Sequence, residues 1–184
     1  MALPTPPLRL VDSATVRQLS SRDLNDEQFY DRFSPYVARI GMRLLGRSAD
    51  VDDLVQEVFI AAYKKRDQLP DEGATRGWLA VVSVRTARRM LRKRRVRQFV
   101  GLDLGTPPLE LLDRTLSPDE HALLSRIYQI LDQMNVDNRL AWTLRYIEGE
   151  KLEDVALRCG CSLATAKRRI AAAHAHLQSE MDGG

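Results

Sequence analysis

Apolar residues recur every three or four positions along most of the chain, which predicts α-helices rather than strands. Asn25 to Gln28 has the form of a capping box at the start of the first helix. The predicted core stripe of that helix is Phe29, Phe33, Val37, Ile40, Leu44 and Leu45. Pro35 interrupts the pattern, so we expect a kink or a break near Ser34, and Gly46 ends the helix.

A second helix is predicted after Ser48, which can act as its N-cap. The core stripe of this helix is Val51, Leu54, Val55, Val58 and Ala62. The opposite face carries acidic and polar residues around one isoleucine: Asp52, Asp53, Gln56, Glu57 and Ile60. Carboxylates that surround an outward isoleucine favour an interface. A solvated face is the alternative, because acidic residues early in a helix also complement its dipole.

A third helix, from Gly77 to Arg97, follows a predicted loop at residues 65–76. It begins apolar and ends with a run of cations. At about 100° per residue, Leu79, Thr86, Ala87, Met90 and Leu91 share one side, and the opposite stripe is Trp78, Val81, Arg85, Arg88 and Arg92. Cations bind phosphates and an aromatic ring stacks on bases, so this stripe is a candidate nucleic-acid surface. A buried tryptophan with a solvated basic tail is the structural alternative.

Residues 98–117 contain glycines, prolines and an excess of acidic side chains, which predicts a flexible acidic linker between two domains. Ser117 to Glu120 then restarts the helical pattern with a second capping box. The next helix has the predicted core stripe Leu123, Leu124, Ile127, Leu131 and Met134. It is followed by a helix from Asp137 to Ile147, which Gly149 ends.

The last segment predicts a helix-turn-helix. A short helix from Leu152 to Cys159 is followed by Gly160 at the turn and by Ser162 as the cap of a second helix. The inner seam of that helix is Leu163, Ala166, Ile170, Ala173 and Leu177, and its outward residues are Ala164, Lys167, Arg168, Ala171 and Ala172. Small residues permit close approach to a DNA groove, where arginine and lysine reach bases or phosphates. A helical hairpin within a bundle is the structural alternative.

Composition narrows the function classes. The 28 basic and 25 acidic residues nearly cancel, so the position of the charges matters more than their sum. We expect a disordered leader at residues 1–24, no membrane span and no secretion signal, and hence a cytoplasmic protein. Cys159 and Cys161 are too close for an ordinary disulfide. No phosphate-binding glycine loop, HExxH motif or pair of CxxC motifs is present, so we expect no enzyme, catalytic residue, metal or cofactor.

Three stretches in this order resemble one family. Asp50 to Phe59 (DVDDLVQEVF) is similar to the polymerase-clamp-binding helix of bacterial RNA polymerase sigma factors of the extracytoplasmic-function (ECF) type. Gly77-Trp-Leu with the Arg-rich helix after it resembles their promoter-melting helix. Arg145 to Gly149 (RYIEG) and Thr165 to Ile170 (TAKRRI) resemble their C-terminal helix-turn-helix. The resemblance implies an all-α protein of two small helical domains, at residues 25–97 and 118–180.

The resemblance also implies partners and site residues. Core RNA polymerase would contact Asp52, Asp53, Gln56, Glu57 and Ile60. The opened strand of the promoter minus-ten element would contact Leu69, Arg76, Trp78, Arg85, Arg88, Arg89 and Arg92, with an unstacked base received by the loop at 69–76, and residues 93–97 would be a general phosphate anchor. The minus-thirty-five element would contact Thr165, Lys167, Arg168, Ala171 and Ala172. An anti-sigma factor is a further expected partner of many relatives.

The chain departs from the family pattern at three places, one of which is the Pro-containing leader before Asn25, with no assigned counterpart in the family. Lys151 stands where the family usually has a capping residue, so the helix after it is expected to start irregularly. The second half of the recognition helix, from Ala171 to His176, lacks the usual arginines. Fewer cations predict weaker upstream binding. A conventional helix-turn-helix regulator of duplex operator DNA and a structural helical adaptor are the alternative functions.

Overall fold

The computed structural model describes residues 24–101 and 117–183, and within these ranges the chain is all-helical. It forms seven α-helices in that part of the chain: α1 (Asp26–Leu45), α2 (Val51–Tyr63), α3 (Glu72–Phe99), α4 (Pro118–Gln133), α5 (Val136–Tyr146), α6 (Leu152–Cys159) and α7 (Leu163–Asp182). Short 3-10 turns at Ser48–Asp50 and Arg66–Gln68 flank α2. The all-α prediction is confirmed. The predicted leader and most of the predicted linker lie outside the described residues.

Helix α1 starts as predicted and continues through its proline. The backbone N of Gln28 donates to Asn25 Oδ1 at 2.8 Å, and the Asn25 N donates to Gln28 Oε1 at 3.0 Å, which completes the capping box. Of the kink or break predicted near Ser34, the break does not occur, because α1 runs unbroken past Pro35 to Leu45. A proline inside a helix costs about 3 kcal/mol. Burial of two phenylalanines and four aliphatic residues on one face of α1 outweighs that cost.

Helices α2 and α3 begin at residues other than those predicted. Ser48 does not cap α2, because it opens a 3-10 turn and leaves Asp50 at the N-cap position without a side-chain capping bond. Helix α3 begins at Glu72 instead of Gly77, since Asp71 Oδ1 accepts a hydrogen bond of 2.8 Å from the Ala74 N. The predicted loop is therefore shorter than residues 65–76. An N-cap of this strength starts a helix despite a glycine in its first turn.

Helices α4 to α7 follow the predicted pattern with two errors in the core. The Ser117 capping box, the αL turn at Gly160 and the Ser162 cap are all present. Leu123 and Leu163 are exposed, so their assignment to the core is wrong. Leu163 is the first residue of α7 and Leu123 lies in the second turn of α4, and the buried residues of both helices come later.

The two halves of the chain share one hydrophobic core. Side chains of α1, α2 and α3 form a single buried cluster with Leu140, Leu144, Val155 and Ile170 from the second half. A smaller cluster around Tyr128, Leu131 and Leu177 closes the far side of α7. No helix in the described ranges is long and apolar enough to cross a membrane. Because the two halves share a core, the candidate surfaces lie on one packed set of helices.

Candidate functional site

The acidic face of α2 is exposed along its length. The side chains of Asp52, Asp53, Gln56 and Glu57 all face solvent, whereas Val51, Leu54, Val55 and Val58 on the opposite face are buried. Ile60 lies on the same face, one turn after Gln56 and Glu57, and is 59% exposed. The local sequence produces this arrangement because the helical period separates the apolar and acidic positions by about half a turn. An exposed aliphatic side chain beside carboxylates can bind a partner that has cations next to an apolar site.

A groove of about 370 Å³ runs between this acidic face and α3. Its walls carry opposite charges, with Asp53 and Glu57 on α2 and Arg89, Lys93 and Arg97 on α3. Arg89 forms an ion pair with Glu57. Arg89 therefore lies on the α2 side of α3, away from the predicted stripe that Arg85, Arg88 and Arg92 share. A strand bound along that stripe would contact Arg89 less directly than it contacts Arg85, Arg88 and Arg92.

The basic stripe of α3 is only partly open to solvent. Arg85 is exposed. Arg88 donates from Nη2 to the Cys159 carbonyl at 2.8 Å and forms an ion pair through Nε with Asp137 Oδ1, also at 2.8 Å. Arg92 reaches Asp137 Oδ2 at 3.1 Å while its side chain stays 62% exposed. Two of the arginines predicted to bind an opened strand are thus held by α5 and α6.

The residues at the start of α3 divide between core and surface. Leu69, predicted to contact the opened strand, is buried at 7% exposure, so little of its side chain is open to a ligand. Arg76 binds Glu72 at 2.9 Å and lies over the rings of Tyr36 and Phe33, 5.1 and 5.9 Å from their centroids. Hydrogen bonds from Arg32 and Arg76 lower the pKa of Glu72.

Trp78 is half-buried and packs against the main core, so one part of its ring remains accessible. This burial agrees in part with the structural alternative of a core tryptophan. The accessible part is still available for stacking on a base. Phe99 at the end of α3 is far more exposed, at 92%, and was not singled out from the sequence.

The helix-turn-helix is formed by α6 and α7 around Gly160, whose φ is 62°. Lys167, Arg168, Ala171 and Ala172 are exposed on one face of α7. Thr165 is half-buried, and its N and hydroxyl groups bind the Ser162 hydroxyl at 3.2 and 2.9 Å. Its polar atoms therefore serve the helix cap.

Helix α6 starts with regular geometry. Lys151 has an extended backbone at the N-cap position, and its carbonyl accepts the first intrahelical bond from the Val155 N at 2.9 Å. The expected irregular start is therefore wrong. The departure from the family pattern removes only the side-chain cap, because any residue can adopt the extended backbone that the position requires.

Sequence reasoning missed a set of charged residues between the two halves. Arg94 had been assigned to a general phosphate anchor, but it is 8% exposed and binds Asp132 at 2.5 Å and Asp50 at 3.3 Å. Arg139 is 2% exposed, and burial lowers the pKa of its guanidinium while Asp132 opposes that effect. The available signal was the position of Arg139 on the apolar stripe of α5, three residues after Val136.

Two family models match this chain. Sigma-70 region 2 matches residues 29–97, and Sigma-70 region 4 matches residues 124–177. RNA polymerase sigma factor CnrH of Cupriavidus metallidurans is 30% identical over 165 residues, which cover 82% of this chain and 86% of that protein. The ECF RNA polymerase sigma-E factor of Escherichia coli K12 is 29% identical over 149 residues, covering 76% and 77% of the two chains.

Solved structures share the fold. The sigma factor RpoE in complex with the anti-sigma factor NepR from Bartonella quintana superposes with a TM-score of 0.64 at 24% identity, covering 85% of this chain and 96% of that chain. CnrH in complex with the cytosolic domain of CnrY superposes with a TM-score of 0.60 at 22% identity, covering 89% and 93%. The predicted helical architecture therefore exists in solved proteins.

Proposed function

Because the chain belongs to the ECF-type RNA polymerase sigma factors, which direct the polymerase to promoters, we propose that its surfaces divide this task between two domains. Residues 25–97 would bind core polymerase and the opened minus-ten element. Residues 118–180 would read the minus-thirty-five element, with residues 98–117 as the linker. Sigma factors are non-enzymatic initiation factors, and this chain would itself perform no covalent chemistry and need no cofactor.

The exposed face of α2 would be the contact with core polymerase. The observation that supports this role most directly is the exposure of Ile60 on the same face of α2 as Asp53 and Glu57. A basic partner surface with an apolar centre would satisfy both the charge and the isoleucine. Asp52, Asp53, Gln56 and Glu57 would supply polar contacts around it. The cytoplasm, where core polymerase transcribes the chromosome, would then be the location of the protein.

The stripe of α3 would follow the opened promoter strand. Arg85, Arg88 and Arg92 would bind phosphates, and the accessible part of Trp78 would stack on a base. Arg76 lies at the entrance of this path and would join it. Arg89, on the α2 side of the helix, would contribute a less direct phosphate contact. Leu69 is buried, so it would hold the loop before α3 in place for the strand.

The exposed face of α7 would enter the major groove of the minus-thirty-five element. Arg168 and Lys167 would reach guanine edges or phosphates, while Ala171 and Ala172 would permit close approach. Thr165 would position the start of the helix through its bond to Ser162. The alanine-rich second half of this face offers few cations, so the minus-ten contacts would carry a larger share of promoter affinity.

An anti-sigma factor would be a further partner. One similar solved structure is a sigma factor in complex with the anti-sigma factor NepR, and another is CnrH in complex with the cytosolic domain of CnrY. The likeness in fold supports a regulator of the same general kind here.

Reconstitution with core RNA polymerase and a library of promoter sequences tests the proposed function. We expect a stable complex with core polymerase and strand opening that depends on the minus-ten and minus-thirty-five sequences. Absence of both would contradict the proposal. A footprint on duplex DNA without polymerase would favour the alternative of a conventional helix-turn-helix regulator.

A further inference from the structure

One carboxylate joins both predicted DNA-binding elements. Asp137, near the start of α5, forms ion pairs with Arg88 at 2.8 Å and Arg92 at 3.1 Å on α3. Its Oδ2 also lies 3.5 Å from Arg169 Nη2 on the recognition helix α7. Two oxygens that gather three guanidinium groups resemble the charge and spacing of a DNA phosphate.

The end of α1 is held by the second half of the chain. Arg139 Nη2 donates to the carbonyls of Leu44 and Leu45 at 3.1 and 2.9 Å. Carbonyls in the last turn of a helix have no partner within the helix, so this arginine satisfies groups that would otherwise be buried without a bond. The Tyr128 hydroxyl donates to the Arg43 carbonyl at 2.7 Å. These contacts join α4 and α5 directly to α1.

Gly46 permits this junction for two separate reasons. Its φ of 68° is the left-handed conformation that ends α1. In addition, a Cβ at this position would lie 2.5 Å from Tyr128 Cδ1 and 2.9 Å from Tyr128 Cε1. Tyr128 is buried, so its ring has little room to move away. Any side chain at residue 46 would push the two halves apart.

We propose that the packed arrangement is an autoinhibited state built into the chain itself. In it, Asp137 occupies Arg88 and Arg92 in place of DNA phosphates, and the junction of Gly46, Tyr128 and Arg139 keeps the two halves closed. This inference rests on the proposed role of the α3 stripe. Arg88 already commits two of its nitrogens to Asp137 and the Cys159 carbonyl, and Arg92 shares the same carboxylate. Each therefore offers a phosphate fewer free N–H groups and less net positive charge until the halves open.

Gly46→Ala, in the full chain without polymerase, is the direct test. Gly149→Ala is the matched control, because Gly149 has a φ of 72° and a Cβ there would meet no atom within 4 Å. Both substitutions impose the same backbone strain, but only the first places an atom against Tyr128. Small-angle X-ray scattering would report the radius of gyration. Fluorescence anisotropy with a labelled, mixed-sequence single strand of about 20 nucleotides would report DNA binding.

We expect Gly46→Ala to increase the radius of gyration and to tighten strand binding by up to about tenfold, the gain expected if one wild-type molecule in ten is open. Gly149→Ala should leave both quantities near the wild-type values. Equal radii for the two variants would overturn the closed state. A larger radius without tighter binding would overturn the occlusion of the arginines.

Two more variants keep the test decisive. Asp137→Asn preserves the shape of the side chain but removes its charge, and it should also tighten strand binding; unchanged affinity in this folded variant would overturn the proposal if Gly46→Ala does not fold. Arg85→Ala, added to Gly46→Ala, separates the two hypotheses because Arg85 lies outside the Asp137 contacts. If its loss does not weaken strand binding while the radius still increases, the strand-binding role of α3 fails and the closed state stands.

Discussion

Ile60→Ser should weaken binding to core RNA polymerase about five- to twentyfold. The side chain is 59% exposed in the unbound chain, so that fraction is available for burial in a complex. Full burial of an isoleucine is worth about 1.5–3 kcal/mol, which leaves roughly 0.9–1.8 kcal/mol for the exposed part. About 1.4 kcal/mol corresponds to a tenfold change in Kd. The folded state should lose little, because serine at this outward position removes few internal contacts.

The assay is a titration of fluorescently labelled protein with core polymerase. Val96→Ser is the matched control, since Val96 is also β-branched, is 64% exposed and lies on α3 instead of α2. We expect the control to bind within about twofold of wild type, as surface substitutions outside an interface have small effects. Equal Kd values for wild type and Ile60→Ser, or equal losses in both variants, would refute the assignment of this face.

Three further predictions concern the α2 face, the recognition helix α7 and the buried Tyr128. Glu57→Lys should weaken polymerase binding while the melting temperature stays nearly constant, because the exposed pair with Arg89 contributes less than about 1 kcal/mol; a large loss in a thermal melt would make this face structural. Arg168→Ala should cost about 1–3 kcal/mol of discrimination at one upstream base pair, measured on a panel of promoters. Lys167→Ala should weaken binding to all promoters alike. Equal losses on all promoters for Arg168→Ala would contradict its base-reading role. Burial raises the pKa of Tyr128 from 10.0 to about 12, so the neutral phenol stabilises the folded state below pH 10 and that contribution disappears as pH rises toward 12. Urea titrations at pH 10 and pH 12 would measure the free energy of unfolding, which should fall less between these pH values in Tyr128→Phe than in the wild type. An equal fall in both proteins would mean that another group causes the pH dependence.

The sequence pattern predicted the helices better than their first residues. Capping boxes at Asn25 and Ser117 were readable because both partners lie within four residues of each other. The start of α3 was placed too late, because Gly73 was interpreted as part of a loop while Asp71 provides the cap. The local cost of Pro35 predicts a kink or a break near Ser34, but long-range packing keeps α1 unbroken there.

For the candidate surfaces too, local sequence predicted some features and tertiary packing decided the others. Exposure of the α2 face and of Lys167 and Arg168 follows from helical periodicity, so it was predictable residue by residue. The family resemblance then attached roles to these faces. Periodicity could not show that Leu69 is buried or that Arg89 turns toward Glu57, since both depend on which helix packs beside them.

The sequence by itself determined the all-helical class, the capped helix starts and the outward faces of α2 and α7, because these depend on neighbours one or two turns away. The tertiary structure decided which arginines are available for a ligand. Arg92 contacts Asp137 across 45 residues of sequence, and Arg139 contacts Leu44 across 95. The local sequence shows only that each arginine lies in a helix. A solvated cation and a buried one differ only in the partners that folding brings to them, which is why the closed junction could be found only in three dimensions.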